Sequence, residues 1–163
     1  MVSNFPSADF PARRGTYLLL LSLPAGHTLT IGRLGRFALA AGVYVYAGSA
    51  FGSGGLAGRL RHHLSPAERP HWHIDYLRQA ARLAAIWYQA ADTRREHDWA
   101  RALAALPDVT MPIPRFGASD CACPAHLFAL PAAPSLAAFQ ARLNASFPDD
   151  PPLRAWAGST FSA

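Results

Sequence analysis

Three extended stretches stand out in the hydrophobic pattern of the first third of the chain. Residues 16–23 form a leucine-rich run between Gly15 and Pro24, which predicts a β-strand followed by a turn. A second, shorter extended stretch is expected around residues 29–31. Residues 43–48 carry β-branched and aromatic side chains, which indicates a buried strand.

The spacing of apolar residues changes to the period of a helix in the middle of the chain. Leucines 56, 60 and 64 lie at i, i+4 and i+8, so they share one stripe and predict a helix over about residues 56–64. The same reasoning predicts helices over 74–81, 93–106 and 136–147, and strands over 83–90 and 126–130. This order favours an α/β (α+β) domain with a small, mixed or antiparallel central sheet flanked by helices.

The chain is expected to divide into three segments. Residues 1–14 contain prolines and scattered polar residues and are interpreted as a loose leader. Residues 15–147 are predicted to form a single domain, and residues 148–163 a loosely ordered tail. Hydrophobic residues make up 51% of the 163 residues and charged residues 15%, which is enough apolar content for one core.

The composition argues against membrane and secreted classes. The apolar run of residues 18–21 is far shorter than the roughly 20 residues of a membrane-spanning helix. The start of the chain does not resemble a signal peptide, and there are only two cysteines. We therefore expect a cytoplasmic protein without membrane association and without a structural disulfide.

The charge balance favours a polyanionic partner. The formal net charge is +5, and all 15 basic residues are arginine. A basic surface suits nucleic acid, because each neutralised phosphate releases counterions. The alternative is that the arginine bias reflects only a GC-rich coding sequence. The absence of lysine excludes a GxxxxGK[ST] phosphate-binding loop and a lysine Schiff base.

A small set of residues could carry chemistry on a phosphodiester. Two strands contain similar tripeptides, Gly-Thr-Tyr at residues 15–17 and Tyr-Ala-Gly at residues 46–48. Arg59 and His63 are four residues apart on one predicted helix, so they point the same way, and Glu96 opens a later helix. A phenol can position water, arginine offers a forked cation for phosphate, and a carboxylate offers a hard oxygen ligand for Mg²⁺.

Each of these residues also has a structural interpretation. Strand tyrosines are more often core aromatics. Thr93-x-x-Glu96 is a capping-box pattern, in which the glutamate bonds back to the start of its own helix. Arg59 beside Arg61 could be a solvated helix face. His63 could be a proton shuttle, a phosphate contact or a cap near the helix C-terminus.

The ordered motifs resemble the GIY-YIG nuclease family. Residues 15–17 resemble its first signature, and residues 46–48 resemble its second, with Ala47 where isoleucine or valine is usual. Residues 56–60 are similar to the helix that bears the family's catalytic arginine. A poorly characterised branch, which occurs alone or fused to base-excision-type endonucleases, has hallmark segments similar to residues 46–50, 71–77 and 116–127.

This resemblance implies a GIY-YIG-like fold and a metal-dependent endonuclease that hydrolyses DNA, with structure-selective or repair-related action. Its implied cofactor is Mg²⁺ or Mn²⁺, held by Glu96. The catalytic residues it implies are Tyr17, Tyr46, Arg59, His63 and Glu96. The candidate substrate-binding residues are Gly48, Ser49, Arg61 and His73. DNA is the expected partner, RNA is the alternative substrate, and a DNA-repair protein is a further expected partner. The rival function is a nucleic-acid-binding module without catalysis.

A second kind of metal chemistry is suggested near residue 120. Cys121, Cys123 and His126 resemble a partial zinc site, but three ligands are too few for a structural one. Asp120, His71 or His73 could complete it. The alternative is a pair of reduced thiols in a turn. If zinc binds, a third function is an interaction domain that the ion stabilises.

Overall fold

A computed structural model describes residues 8–158 of the chain. It contains seven strands: β1 (Gly15–Leu23), β2 (His27–Ile31), β3 (Gly35–Leu39), β4 (Gly42–Ala50), β5 (Arg82–Ala90), β6 (Leu127–Leu130) and β7 (Arg154–Ala157). It contains four helices: α1 (Gly55–Leu64), α2 (His73–Arg78), α3 (Glu96–Ala104) and α4 (Leu136–Ser146). The predicted α+β class is confirmed, and the only strands missed were β3 and β7 within the described residues.

The main sheet has five strands in the order β6-β4-β1-β5-β7, and every neighbouring pair is antiparallel. The leucine-rich β1 lies at the centre, where nearly all of its side chains are buried on both faces. β2 and β3 form a separate hairpin. Since β1 pairs on both sides, its position fixes those of β4 and β5 beside it.

Each face of the main sheet carries one helical layer. Alternate side chains of β1, including Tyr17 and Leu19, pack with α1 and α2 in one apolar cluster. The intervening side chains, including Leu18 and Leu20, pack with α3 and α4 in a second cluster. The helix stripe predicted at residues 56–64 therefore faces the first cluster.

The expectation of a loosely ordered tail from residue 148 is wrong for its described part. β7 pairs with β5, and Trp156 is only 8% exposed in the first apolar cluster. Asp150 forms a two-pronged ion pair with Arg95, at 2.8 and 3.1 Å. An edge strand without a partner exposes unpaired backbone groups, and β7 covers that edge of β5.

Residues 8–14, which were expected to belong to a loose leader, instead pack against the domain. Phe10 is buried and meets Tyr88 edge-on, with ring centroids 5.5 Å apart. The backbone carbonyls of Arg13 and Pro11 accept hydrogen bonds from the first turn of α1, at 2.8 and 2.9 Å. Those N–H groups have no partner within the helix, so the leader satisfies them. Residues 1–7 and 159–163, the ends of the expected leader and tail, lie outside the described residues.

The helices of the domain are short compared with the thickness of a membrane. Among residues 8–158 the longest helix is α4, with 11 residues, and none has the length or apolar character that crossing a bilayer requires.

Candidate functional site

A cleft of about 310 Å³ lies where the two layers meet beside β4. Four of the five residues predicted to be catalytic line it: Tyr17, Tyr46, Arg59 and Glu96. Its other lining residues are Ser49, Phe51, Gly52, Trp72, Arg94, His97, Gly117, Asp120, Cys121 and His126. Since Trp72 and Arg94 are exposed, the cleft opens to solvent. Four distant stretches of sequence thus meet around one accessible space.

The two phenols reach the cleft from neighbouring strands of the sheet. Tyr17 is opposite Gly48 in the β1–β4 register, and Tyr46 is two residues before Gly48, so both tyrosines lie on the same face. A Cβ atom at Gly48 would lie 2.5 Å from the Tyr17 phenol. Gly48, predicted to bind substrate, does not line the cleft. It provides the space in which Tyr17 crosses β4.

Tyr46 is held from the side of the 116–126 segment. Gly117 has a φ of 70°, a left-handed conformation that glycine adopts without strain. A Cβ there would lie 2.9 Å from Cε2 of Tyr46. Phe116 meets the Tyr46 ring edge-on, with centroids 6.0 Å apart. The glycine therefore allows the loop to close against the phenol.

Both phenols are in an environment that keeps them protonated. Tyr17 is 1% exposed and Tyr46 is 9% exposed. Burial raises the pKa of each above its usual value, and the negative charge of Glu96 raises it further. Arg59 opposes this shift for both groups. At neutral pH these side chains are therefore hydroxyl groups that orient a neighbour, and an additional positive charge would be needed to ionise one.

His63 lies behind Tyr17 and does not line the cleft. Its Nε2 atom is 2.9 Å from the Tyr17 hydroxyl, and the residue is 1% exposed. Burial, together with neighbouring His62 and Arg59, lowers the pKa of His63 to about 3. His63 was predicted to be catalytic, but the structure places it behind the cleft, where its neutral ring holds the Tyr17 hydroxyl.

Arg59 projects from α1 into the cleft against an aromatic ring. Its guanidinium carbon lies 4.2 Å from the centroid of Trp72, a cation–π contact. Arg61, on the same helix, is exposed and lies outside the cleft. The structure therefore separates the two arginines, and only Arg59 is available to a bound group.

Trp72 is in turn held by a carboxylate that sequence analysis missed. Asp75 accepts hydrogen bonds from the backbone N–H groups of His71 and Trp72, both at 3.0 Å. It also lies 2.8 Å from Nε2 of His62. The sequence signal that could have pointed to these hydrogen bonds is Trp72 with a histidine on each side, three residues before Asp75.

Glu96 begins α3 and faces the cleft. The residue before the helix is Arg95, which has no capping side chain, so the Thr93 capping-box alternative is wrong. The Arg95 N–H donates to the Thr16 hydroxyl at 3.1 Å, which ties the helix start to β1. The middle residue of the first tripeptide therefore helps to place Glu96.

The Glu96 carboxylate is ionised and held by two neighbours. Its side chain is 14% exposed. Its Oε2 atom accepts from the Ser49 hydroxyl at 2.7 Å, and its Oε1 atom lies 3.0 Å from Nδ1 of His126. Burial raises the pKa of Glu96, but these two contacts outweigh it and hold the pKa below its usual value. Ser49, which was predicted to bind substrate, lines the cleft.

Further charged residues in the cleft were not predicted. Arg94 packs over the Phe51 ring, with its guanidinium carbon 4.8 Å from the ring centroid. Asp120 lines the same space. Two arginines and two carboxylates therefore face one cleft, an arrangement that can bind a phosphate and a cation side by side.

His73 does not reach the cleft, although it was predicted to bind substrate. Its Nδ1 atom accepts a hydrogen bond from the Gly117 N–H at 2.9 Å. Its ring lies 5.6 Å from that of Phe116. It therefore supports the loop that closes against Tyr46.

The suggested zinc ligands are close together in space. Cys121, Cys123 and His126 form a group with His97, and one ligand atom of each lies within 4.8 Å of the others. Asp120, His71 and His73, considered as completing ligands, are not in this group. His97, the fourth member, was missed because no motif spacing connects it to the cysteines.

Comparison with known proteins identifies a family. The family model described as "Domain of unknown function DUF123" matches residues 16–147, which include all four helices and every residue that lines the cleft. Neither a curated protein nor a solved structure gives a match. The matched range covers most of the chain, and the protein therefore belongs to the DUF123 family.

Proposed function

We propose that this protein is a metal-dependent endonuclease of the GIY-YIG kind that hydrolyses DNA phosphodiester bonds. One observation carries the proposal: Tyr17, Tyr46, Arg59 and Glu96 line a single solvent-open cleft. Two phenols can position a water, a guanidinium can stabilise charge on the phosphate and a carboxylate can hold a metal ion, which together suit hydrolysis of a phosphodiester.

Arg59 is the proposed contact to the scissile phosphate. Its guanidinium is permanently charged and can bind two phosphate oxygens at once. Stacking on Trp72 restricts its orientation before substrate arrives. Charge that develops on the phosphate oxygens in the transition state would therefore meet a fixed cation, the arrangement that contributes most to rate in many enzymes.

Tyr17 and Tyr46 are the proposed groups that orient the attacking water. Each phenol oxygen can accept a hydrogen bond from that water and direct its lone pair at phosphorus. The water oxygen bonds to phosphorus, the bond from phosphorus to one sugar oxygen breaks, and the proton released from the water ends on that sugar oxygen. His63, at 2.9 Å from the Tyr17 hydroxyl, keeps the phenol in position during this exchange.

The carboxylates of the cleft fit a hard divalent cation. Glu96 is ionised, and its two oxygens each keep a lone pair beyond the contacts with Ser49 and His126. Asp120 lines the same cleft and can supply another oxygen. When bound, Mg²⁺ or Mn²⁺ would neutralise phosphate charge and provide an acidic water near the leaving oxygen.

The net charge of the chain and the exposure of Trp72 support nucleic acid as the substrate class. The chain carries a net charge of +5, and Trp72 is 37% exposed at the rim of the cleft, where a base could stack on it. A domain of this size has little additional surface for reading a DNA sequence. We therefore propose a structure-selective nuclease on DNA in the cytoplasm, acting in repair beside a partner protein.

The test is a panel of labelled duplex, branched and single-stranded DNA and RNA substrates, each incubated with Mg²⁺ or Mn²⁺. We expect the wild-type protein to cleave at least one DNA substrate and Glu96→Gln to lose at least about a hundred-fold in rate, since it removes a ligand charge. Tyr46→Phe should be impaired, whereas Tyr44→Phe, on the same strand with its hydroxyl bonded to the Ala40 carbonyl, should not. Failure of the wild type on every substrate, or equal cleavage by Glu96→Gln, would contradict the proposal.

A further inference from the structure

We propose that His97, Cys121, Cys123 and His126 bind one structural Zn²⁺ in the wall of the cleft, which three of these residues line. Their ligand atoms all lie within 4.8 Å of one another. Tetrahedral zinc with thiolate and imidazole ligands separates those atoms by roughly 3.3–3.8 Å. Sγ of Cys121 is already 3.5 Å from Nε2 of His126, so the group needs only a small contraction to surround an ion.

The loop that carries the cysteines is built to hold them. The Arg115 guanidinium donates to the backbone carbonyls of Cys121 and Cys123, at 2.7 and 2.6 Å, and to that of Ala118. Arg115 itself has a φ of 65°, an uncommon conformation for a residue with a side chain. One arginine thus closes the loop so that both thiols face the same space.

The two histidines reach this space from ordered elements. His97 is in the first turn of α3, and His126 directly precedes β6. Their rings lie 5.6 Å apart. The Ala47 N–H donates to the His126 carbonyl at 2.9 Å, which fixes that residue against β4. The site therefore joins a helix, a loop and the sheet, so a bound ion would contribute to the stability of the fold.

The orientation of His126 is that of a zinc ligand with a carboxylate partner. Its Nε2 faces Cys121 while its Nδ1 lies 3.0 Å from Oε1 of Glu96. In zinc proteins the nitrogen that does not bind metal is usually held by a carboxylate or a carbonyl, which sets the tautomer. Glu96 therefore connects the zinc group to the cleft, and zinc would fix the position of this carboxylate.

The donor set selects zinc over the hard cation proposed for the cleft. Two thiolates and two imidazoles are the ligands of structural Zn²⁺, whereas Mg²⁺ and Mn²⁺ prefer oxygen. Four protein ligands complete a tetrahedron and leave no open position, so this ion would stabilise structure and would not itself activate water. The two sites are thus chemically distinct, and the zinc assignment does not depend on the proposed nuclease activity.

The experiment measures metal directly on the purified full-length protein. We expect about one zinc per chain by elemental analysis. Replacement with Co²⁺ should give a thiolate-to-cobalt band in the near ultraviolet and intense visible bands of tetrahedral cobalt. The Cys123→Ser and His97→Ala variants should lose these bands or hold under a tenth of the wild-type zinc, whereas His71→Ala, outside the group, should keep both.

Several outcomes would overturn the assignment. Wild-type protein without zinc or a cobalt spectrum would do so, as would an octahedral cobalt spectrum. Full zinc content in a Cys121→Ser, Cys123→Ser double variant would place the ion elsewhere. The near-ultraviolet band of the cobalt-substituted wild-type protein by itself reports the thiolates bound to the metal. The test therefore does not depend on whether a variant folds. Zinc with no DNA cleavage would remove only the nuclease proposal, and cleavage without zinc would remove only this one.

Discussion

At the scale of single residues, the cleft depends on buried, uncharged groups that hold the side chains lining it. His63 is the clearest example, because it touches Tyr17 and no solvent. A ring whose pKa is about 3 cannot exchange protons near neutrality. It can orient a phenol at little cost, provided that it stays uncharged.

His63 should make the stability of the protein depend on pH. Its pKa is about 3 when folded and about 6.5 in an unfolded chain, so the unfolded state takes up a proton first as pH falls. Stability from the neutral ring is thus fully present above about pH 6.5 and is lost progressively toward pH 3, by about 1.4 kcal/mol per pH unit for one proton. Denaturant unfolding at pH 6, 5 and 4 should show this slope in the wild type and a clearly smaller one in His63→Gln. Equal slopes in the two proteins would show that His63 is not buried and neutral.

At the scale of elements, the last strand has a role that its short sequence conceals. β7 pairs with β5 and inserts Trp156 into the core next to α1 and α2. The Gly158 N–H continues the pairing by donating to the Ala84 carbonyl at 2.8 Å. The C-terminal segment therefore closes one edge of the sheet.

Trp156→Ala should test this role. Removing a buried tryptophan side chain is expected to lower the free energy of unfolding by about 3–5 kcal/mol. The matched control is Arg154→Ala, two residues earlier on the same strand and exposed, which should change stability by less than about 0.5 kcal/mol. Denaturant unfolding of the two variants decides the matter, and a loss in Trp156→Ala no greater than that in the control would mean that the strand is not docked.

The sequence predicts the elements that follow a local rule and misses those that depend on distant partners. The leucine stripe of α1 and the apolar run of β1 are local patterns, and both were predicted close to their observed bounds. β7 has four residues behind a proline-rich stretch and becomes a strand only because β5 offers an edge. β3 likewise exists as the hairpin partner of β2.

The same distinction applies to the candidate site. Tyr17, Tyr46 and Arg59 could be identified because ordered motifs mark them. Trp72 and His97 could not be given their positions, because each meets the site through packing between elements far apart in the chain. Sequence spacing alone carries no information about such contacts. Arg59 and Arg61 show the same limit, because they are two residues apart on α1 and only Arg59 lines the cleft.

At the scale of the whole molecule, the cleft exists because both layers of the domain end beside β4. The sheet face that carries α1 and α2 brings Tyr17 and Tyr46, α1 brings Arg59, and α3 in the opposite layer brings Glu96. The antiparallel sheet fixes the distance between the two sets. Recognition of a phosphate by one set and of a cation by the other would make catalysis a property of the whole fold.

The most direct test of the proposed active site is a comparison of two single-turnover cleavage rates, that of Arg59→Ala and that of Arg61→Ala. Both are measured on the best DNA substrate with saturating Mg²⁺ or Mn²⁺. The two changes remove the same charge from the same helix, but only Arg59 lines the cleft. We expect a loss of at least about a hundred-fold for Arg59→Ala, because a fixed transition-state cation disappears, and a change within about two-fold for Arg61→Ala. Equal rates in the two variants would contradict it.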